Sequence, residues 1–259
     1  AKMALQKMNS GISSDTSKYG VPFKSVNYTY GTKENAIGWM NLVIGYIDYY
    51  AKDDKKGALP YIYQASLHGS ETTVNPLVFE TIGKYFLGET IRLRDEIKVM
   101  IQAQDPKDAD DVKAKKEADV KAKIAMLKGN AERALDAYSR AYKVAKTDAA
   151  SKPYRDGLYQ TMQQLYNVRF EKTDGLDTYV ASSASKPLLD PATPVTPIEE
   201  VVKAADTTKT GSAAPAPTPA TKPGETSGVT KAAITAKESV LKSSAVTAAK
   251  SPAVKKANH

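Results

Sequence analysis

The sequence has no cysteine, only two histidines, and no long uncharged apolar run; each shortage removes a class of chemistry. Without cysteine there are no disulfides, thiolate nucleophiles or Cys-bound zinc, and the redox compartment stays open. With His68 and the terminal His259 as the only imidazoles, no cluster of histidines and carboxylates can be gathered round a metal. His68 precedes Gly69 in a turn, where an imidazole is normally solvated. No Gly-x-Ser-x-Gly elbow, phosphate-cradling Gly-Lys-Ser/Thr loop or dinucleotide fingerprint is present. Asp53-Asp54 and Asp110-Asp111 sit beside lysines in turn and capping positions, where nothing would push paired carboxyl pKa values apart. The most apolar stretch, Trp39 to Ala51, is interrupted by Asn41 and Asp48 and falls short of the roughly 20 residues a membrane-crossing helix needs. The expectation is a protein that is not an enzyme, holds no cofactor or metal, and has no membrane span.

Aromatic residues are missing from one end. All 20 lie at or before Tyr179, so the last 80 residues have none. A segment of Ala, Thr, Ser, Pro and Lys cannot bury enough apolar area to offset its ordering entropy. Three parts follow: an N-terminal arm over 1–34, a helical domain over 35–185, and a Pro/Ala/Thr/Lys-rich tail over 186–259. The net charge of +8 is spread thinly over mixed-sign surface, except in 231–259, where six lysines face Glu238 alone. The run Lys250-Ser251-Pro252-Ala253-Val254-Lys255-Lys256 resembles the basic tails of linker histones. Nucleic-acid binding through that tail is therefore the alternative function, with no Arg or aromatic there to strengthen it. The chain begins at Ala1, which fits cleavage of a leader or loss of an initiator Met. A secreted or cell-envelope location is preferred over a cytoplasmic one.

Helical periodicity dominates the middle. Ile37, Met40, Ile44, Ile47 and Ala51 recur on one face with Gly45 as a small contact. Asp53 to Gly57 makes a turn, and Ala58, Leu59, Ile62 and Ala65 return, with Pro60 in the first turn of that helix. Asn75-Pro76 opens a helix to about Leu87, followed by a second over Glu89–Gln104 and a third from Asp108 or Asp110 to about Lys128. Another runs over Ala131–Lys146, entered through Gly129-Asn130. A last helix covers about Tyr154 to Phe170, with a short cap over 174–184. Phe23 to Tyr30 alternates at Val26, Tyr28 and Tyr30, which predicts a strand. Pro187, Pro191, Pro194 and Pro197 predict an extended segment.

Two spaced sets stand out. Phe79, Ile82, Gly83 and Phe86 read large-x-x-aliphatic-Gly-x-x-aromatic; Ala134, Leu135, Tyr138 and Ala141 read Ala-Leu-x-x-Tyr-x-x-Ala. Gly83 admits a neighbouring helix, and the small alanines receive the rings. This pattern resembles the tetratricopeptide repeat, built from antiparallel helix pairs that bury their apolar faces only by stacking. The first pair departs from the family pattern: Asp48 falls where an aromatic is expected and Tyr49 comes one place late.

The resemblance implies an all-α solenoid acting as a scaffold, a structural or protein-interaction subunit of a self-assembled filament or ring. Its partner would be protein, most simply other copies of the chain. Carried over by position, the groove-lining side of such a solenoid falls on Leu42, Tyr46, Tyr49, Glu80 and Lys84. The tyrosines at 46, 49, 50, 61 and 63 fit either core packing with hydroxyls at the rim or a binding face. Val26, Tyr28 and Tyr30, with the segment 186–198, are expected to dock on a neighbouring copy.

Overall fold

In a computed structural model, residues 1–11, 30–183 and 185–199 are described, and within them the chain is helical with no strand. The prediction of a strand over Phe23–Tyr30 lies outside the described residues except at Tyr30, as does the tail beyond 199. Helix α1 spans Lys2–Asn9 and α2 spans Lys33–Tyr46. Thr32 caps α2 by accepting from the Asn35 N–H at 3.1 Å, satisfying a donor that a helix start leaves unpaired. Met8 of α1 packs with Ala36, Ile37 and Met40 of α2, and Tyr30 lies against the same cluster.

Helix α2 continues as a π-turn over Ile47–Ala51, closed by the Lys52 N–H on the Ile47 carbonyl at 3.1 Å. A π-turn accommodates one extra residue and turns the positions at Asp48 and Tyr49 round the helix axis. The rotation it introduces buries both: Tyr49 joins the core, and the Asp48 carboxylate is held by Lys52 at 2.6 Å.

Helix α3 runs Lys55–Leu67, with the Asp54 side chain accepting from the Gly57 N–H at 2.9 Å. The turn is therefore shorter than expected, with Asp53 at φ 56°, and Pro60 lies in the second helical turn instead of the first. Its ring still removes one backbone donor there. Gly45 faces this helix, and a Cβ on it would sit 2.5 Å from Ile62 Cδ1.

Two predicted breaks are absent. Helix α4 is one element, Pro76–Gln102, with Asn75 accepting from the Leu77 N–H. Helix α5 is likewise continuous over Asp110–Val144, so Gly129-Asn130 lies inside it. Gly88 has open space where a Cβ would be, and its propensity penalty of about 1 kcal/mol is outweighed by the α4–α5 pairing on either side. At about 1.5 Å per residue, α5 is about 50 Å long, and the hairpin with α4 is the extended pair the sequence implied. Leu93, Ile97 and Val120 stay buried toward its far end, and Lys123 pairs with Glu96 there.

A 3-10 turn over Ala149–Ser151 leads into α6, Lys152–Phe170, and α7 spans Leu176–Ser183. Each helix packs on the next: α1 on α2, α2 on α3, α3 on α4, α4 on α5 and α5 on α6, with α7 lying on α5 and α6. Residues 1–198 form one unit.

The segment after α7 differs from expectation. Residues 186–198 lie along α5 of their own chain. Arg140 donates to the carbonyls of Ser183 and Lys186, and Arg133 to those of Asp190 and Thr193. The reason is local: two arginines on α5 each carry several donors, and these reach carbonyls at the end of α7 and in the segment that follows it.

Candidate interaction surface

Gly83 and Tyr138 join α4 to α5. A Cβ on Gly83 would lie 2.8 Å from the Tyr138 ring, and Phe79, Ile82, Phe86, Ala134, Leu135 and Ala141 are all buried around that contact. The ring fills the gap that glycine leaves, so the two spaced sets belong to one interface.

From that interface the cluster builds outward. Glu80, three residues before Gly83, pairs with Lys84 at 2.7 Å and accepts from the Tyr154 hydroxyl of α6 at 2.7 Å. The Lys84 ammonium lies 5.9 Å from the Tyr50 ring centroid. Tyr50 in turn packs on Tyr46 at 4.4 Å and Tyr49 at 4.7 Å between centroids. Three of the residues expected on the groove side, Tyr46, Glu80 and Lys84, thus meet through Tyr50 and Tyr154. Tyr49 and Leu42 do not share that surface: both are buried, because the π-turn turns Tyr49 inward and Leu42 lies on the core side of α2.

Electrostatics tie the cluster together. Burial raises the Tyr49 and Tyr138 hydroxyls well above the ordinary tyrosine range, and the Glu80 charge adds to the effect at Tyr138. Tyr154 shifts the same way through burial and its bond to Glu80. Burial alone would lower the Lys84 pKa, but the hydrogen bond and charge of Glu80 outweigh it and the net shift is upward. A carboxylate already engaged by an ammonium and a phenol is a structural knot between α4 and α6.

Beside the knot lies an uncovered face. Val43, Tyr46, Ile47 and Tyr50 are 39%, 42%, 46% and 45% exposed, at i, i+3, i+4 and i+7 along α2 and its π-turn. Helical residues at these separations share one side, so they form a stripe opposite the buried Ile37, Asn41 and Gly45. Isolated exposed apolar residues are ordinary, whereas a contiguous apolar patch marks a contact surface.

Of the N-terminal residues expected to dock on a neighbour, Val26 and Tyr28 lie outside the described residues. Tyr30 is part-buried against Met8, Ala36, Ile37 and Met40, and burial raises its hydroxyl pKa. It belongs to the packing between α1 and α2 of its own chain.

His68 Nδ1 lies 2.8 Å from Glu34 Oε2 at the surface. Exposed ion pairs contribute about 0–1 kcal/mol, so His68→Ala is expected to shift the thermal midpoint by no more than a few degrees. A larger loss in a thermal melt would assign His68 a part in the fold that this contact does not explain. Among the described residues no group of three or more His, Asp or Glu is placed to hold a metal ion. None of the described helices is long and apolar enough to cross a membrane.

Sequence reasoning passed over Arg133, Arg140 and Gly129 as a set. Their positions on α5 held the available signal: two arginines two helical turns apart, with a mid-helix glycine one turn before the first. No protein-family model, curated protein or solved structure matches the chain.

Proposed function

We propose that the chain is a non-enzymatic helical scaffold that binds protein, foremost other copies of itself, through the α2 face. The carrying observation is the exposed stripe of Val43, Tyr46, Ile47 and Tyr50 on a helix whose opposite side is buried. Tyrosines suit such a role because each presents a large, stiff apolar ring with a polar tip. The Glu80–Lys84 pair at its edge would contribute register and selectivity more than affinity. The sequential packing of α2 to α7 fits stacked helix pairs of tetratricopeptide type, and an end-to-end contact between such units runs on as a filament or closes as a ring.

The test is the double variant Tyr46→Ser with Ile47→Asp. Both side chains are exposed, so the melting transition should stay within about 1 kcal/mol of the parent. Self-association measured by size-exclusion chromatography with light scattering should fall by at least about tenfold, as loss of about 1.4 kcal/mol at the contact requires. A parent chain that stays monomeric at millimolar concentration would defeat the self-assembly reading. Unchanged association in the variant would place the contact elsewhere.

A further inference from the structure

The segment 186–198 sits on α5 as a ligand sits in a receptor. Its pegs are Leu188, Pro191, Val195 and Ile198, separated by three, four and three residues; Pro191 is buried, the others half-buried, and most residues between them exposed. The three-residue steps suit an extended chain, and the four-residue step falls at a turn closed by the Thr193 N–H on the Asp190 carbonyl at 3.0 Å.

The α5 side is read mainly through main-chain atoms. Arg133 donates to the carbonyls of Asp190 at 3.2 Å, Thr193 at 3.1 Å and Pro194 at 3.5 Å. Arg140 donates to those of Ser183 at 2.9 Å and Lys186 at 2.8 Å, and the Tyr63 hydroxyl of α3 reaches the Leu188 carbonyl at 3.4 Å. The Ile198 N–H donates to the Ala125 carbonyl at 3.0 Å. Gly129 makes the approach possible: a Cβ there would lie 2.7 Å from Val195 Cγ1 and collide with the Thr196 carbonyl. A mid-helix glycine costs about 1 kcal/mol, and here it clears the path of the strap.

The donors are held in place by groups other than the strap. Asp136 grips Arg140 through two hydrogen bonds at 2.9 and 3.2 Å, and the Arg133 guanidinium lies 5.6 Å from the Phe86 ring centroid. Donors held by such neighbours lose less side-chain entropy on occupation than free ones would. Between its four pegs most of the strap stays exposed, and a segment with few buried contacts opens locally at lower cost than the core.

We propose that the α5 stripe from Ala125 to Arg140 is a receptor for a proline-spaced peptide of a partner protein, extended apart from one turn, with residues 186–198 as its built-in, displaceable occupant. The partner segment carries proline or aliphatic residues at the separations of Leu188, Pro191, Val195 and Ile198, and is otherwise recognised by its backbone. In the resting chain the tethered strap competes at an effective concentration on the order of millimolar, so a partner gains the site when the strap is weakened. This rests on the strap contacts alone, and stands or falls separately from the α2 face.

The experiment titrates the full chain into a fluorescently labelled synthetic peptide of residues 185–199 and follows anisotropy. Full chains carrying Val195→Asp or Ile198→Asp in their own strap are expected to bind the peptide at least about tenfold more tightly than the parent. Adding Gly129→Leu, or Arg133→Gln, to either strap variant should cost that gain. A flat titration with strap variants that still melt cooperatively overturns the proposal. So does binding that ignores Gly129→Leu and Arg133→Gln. Failure of both strap variants to fold overturns it as well, because a removable occupant is not needed for folding.

Discussion

A chain carrying Gly83→Leu is expected to be less stable than the parent by about 1–3 kcal/mol, the usual cost of forcing atoms into a filled interior. For a domain of this size that is a drop of several degrees in thermal midpoint. Propensity works the other way, since leaving glycine in a helix gains up to about 1 kcal/mol. The sign is decided by the Tyr138 ring, 4% exposed, which a Cβ on Gly83 would approach to 2.8 Å. That ring is boxed in by α4, α5 and the Glu80 cluster and cannot swing aside. Gly88, on the same helix, is the matched control. Nothing lies within 4 Å of its would-be Cβ, so Gly88→Ala should hold or raise stability by up to about 1 kcal/mol. If the two variants melt alike, the close contact of α4 with α5 at Gly83 is not the one described.

Alkaline pH is expected to unfold the domain steeply above about pH 10, where tyrosines of the unfolded chain ionise. Burial is the first cause of the raised pKa at both Tyr49 and Tyr138, which are 6% and 4% exposed. Between the unfolded and folded pKa the native state keeps a proton that the unfolded state has lost. Stability is therefore fully present below the unfolded pKa and falls as pH rises toward the folded one. Each such group contributes a slope of about 1.4 kcal/mol per pH unit, so the pair contributes roughly 3 kcal/mol per unit. Lys84 acts in the same direction, since its folded pKa is also raised and its pairing is lost as the ammonium deprotonates. Denaturant melts at pH 8, 10 and 11, with tyrosinate absorbance read in parallel, measure the slope. Tyr138→Phe should remove about 1.4 kcal/mol per pH unit of that slope. Ionisation of all 15 tyrosines near their ordinary pKa in a chain that stays folded would contradict the burial of these two.

Much of the fold was legible because its signals are local. The cap at Asn75-Pro76 and the helical spacing of the core residues each depend on a few neighbouring positions. The π-turn at Ile47–Ala51 was not legible in this way and needed coordinates. The breaks predicted at Gly88 and Gly129 were misplaced for a shared reason. A glycine costs a helix about 1 kcal/mol, and pairing along a long hairpin offsets that, so local propensity alone could not show that α4 and α5 run on.

The surface residues divide in the same way. Tyr46, Glu80 and Lys84 were carried over by position from the repeat resemblance, and the structure gathers them with Tyr50 and Tyr154. Tyr49 and Leu42, carried over in the same way, are buried: the π-turn rotates Tyr49 inward, whereas Leu42 lies before that turn, on the core side of α2.

Composition and periodicity by themselves determined that the core is helical, that every aromatic lies at or before Tyr179, and that Gly83 marks a close helix contact. Those properties are sums over short stretches, set by hydrophobic spacing and side-chain volume. Only the tertiary structure decided which ring meets Gly83, which side of α2 stays uncovered, and that Gly129 serves a passing strap and not a helix end. Each of these depends on residues far apart in sequence; Val195 and Gly129 come together because Arg133 and Arg140 hold the intervening carbonyls to α5.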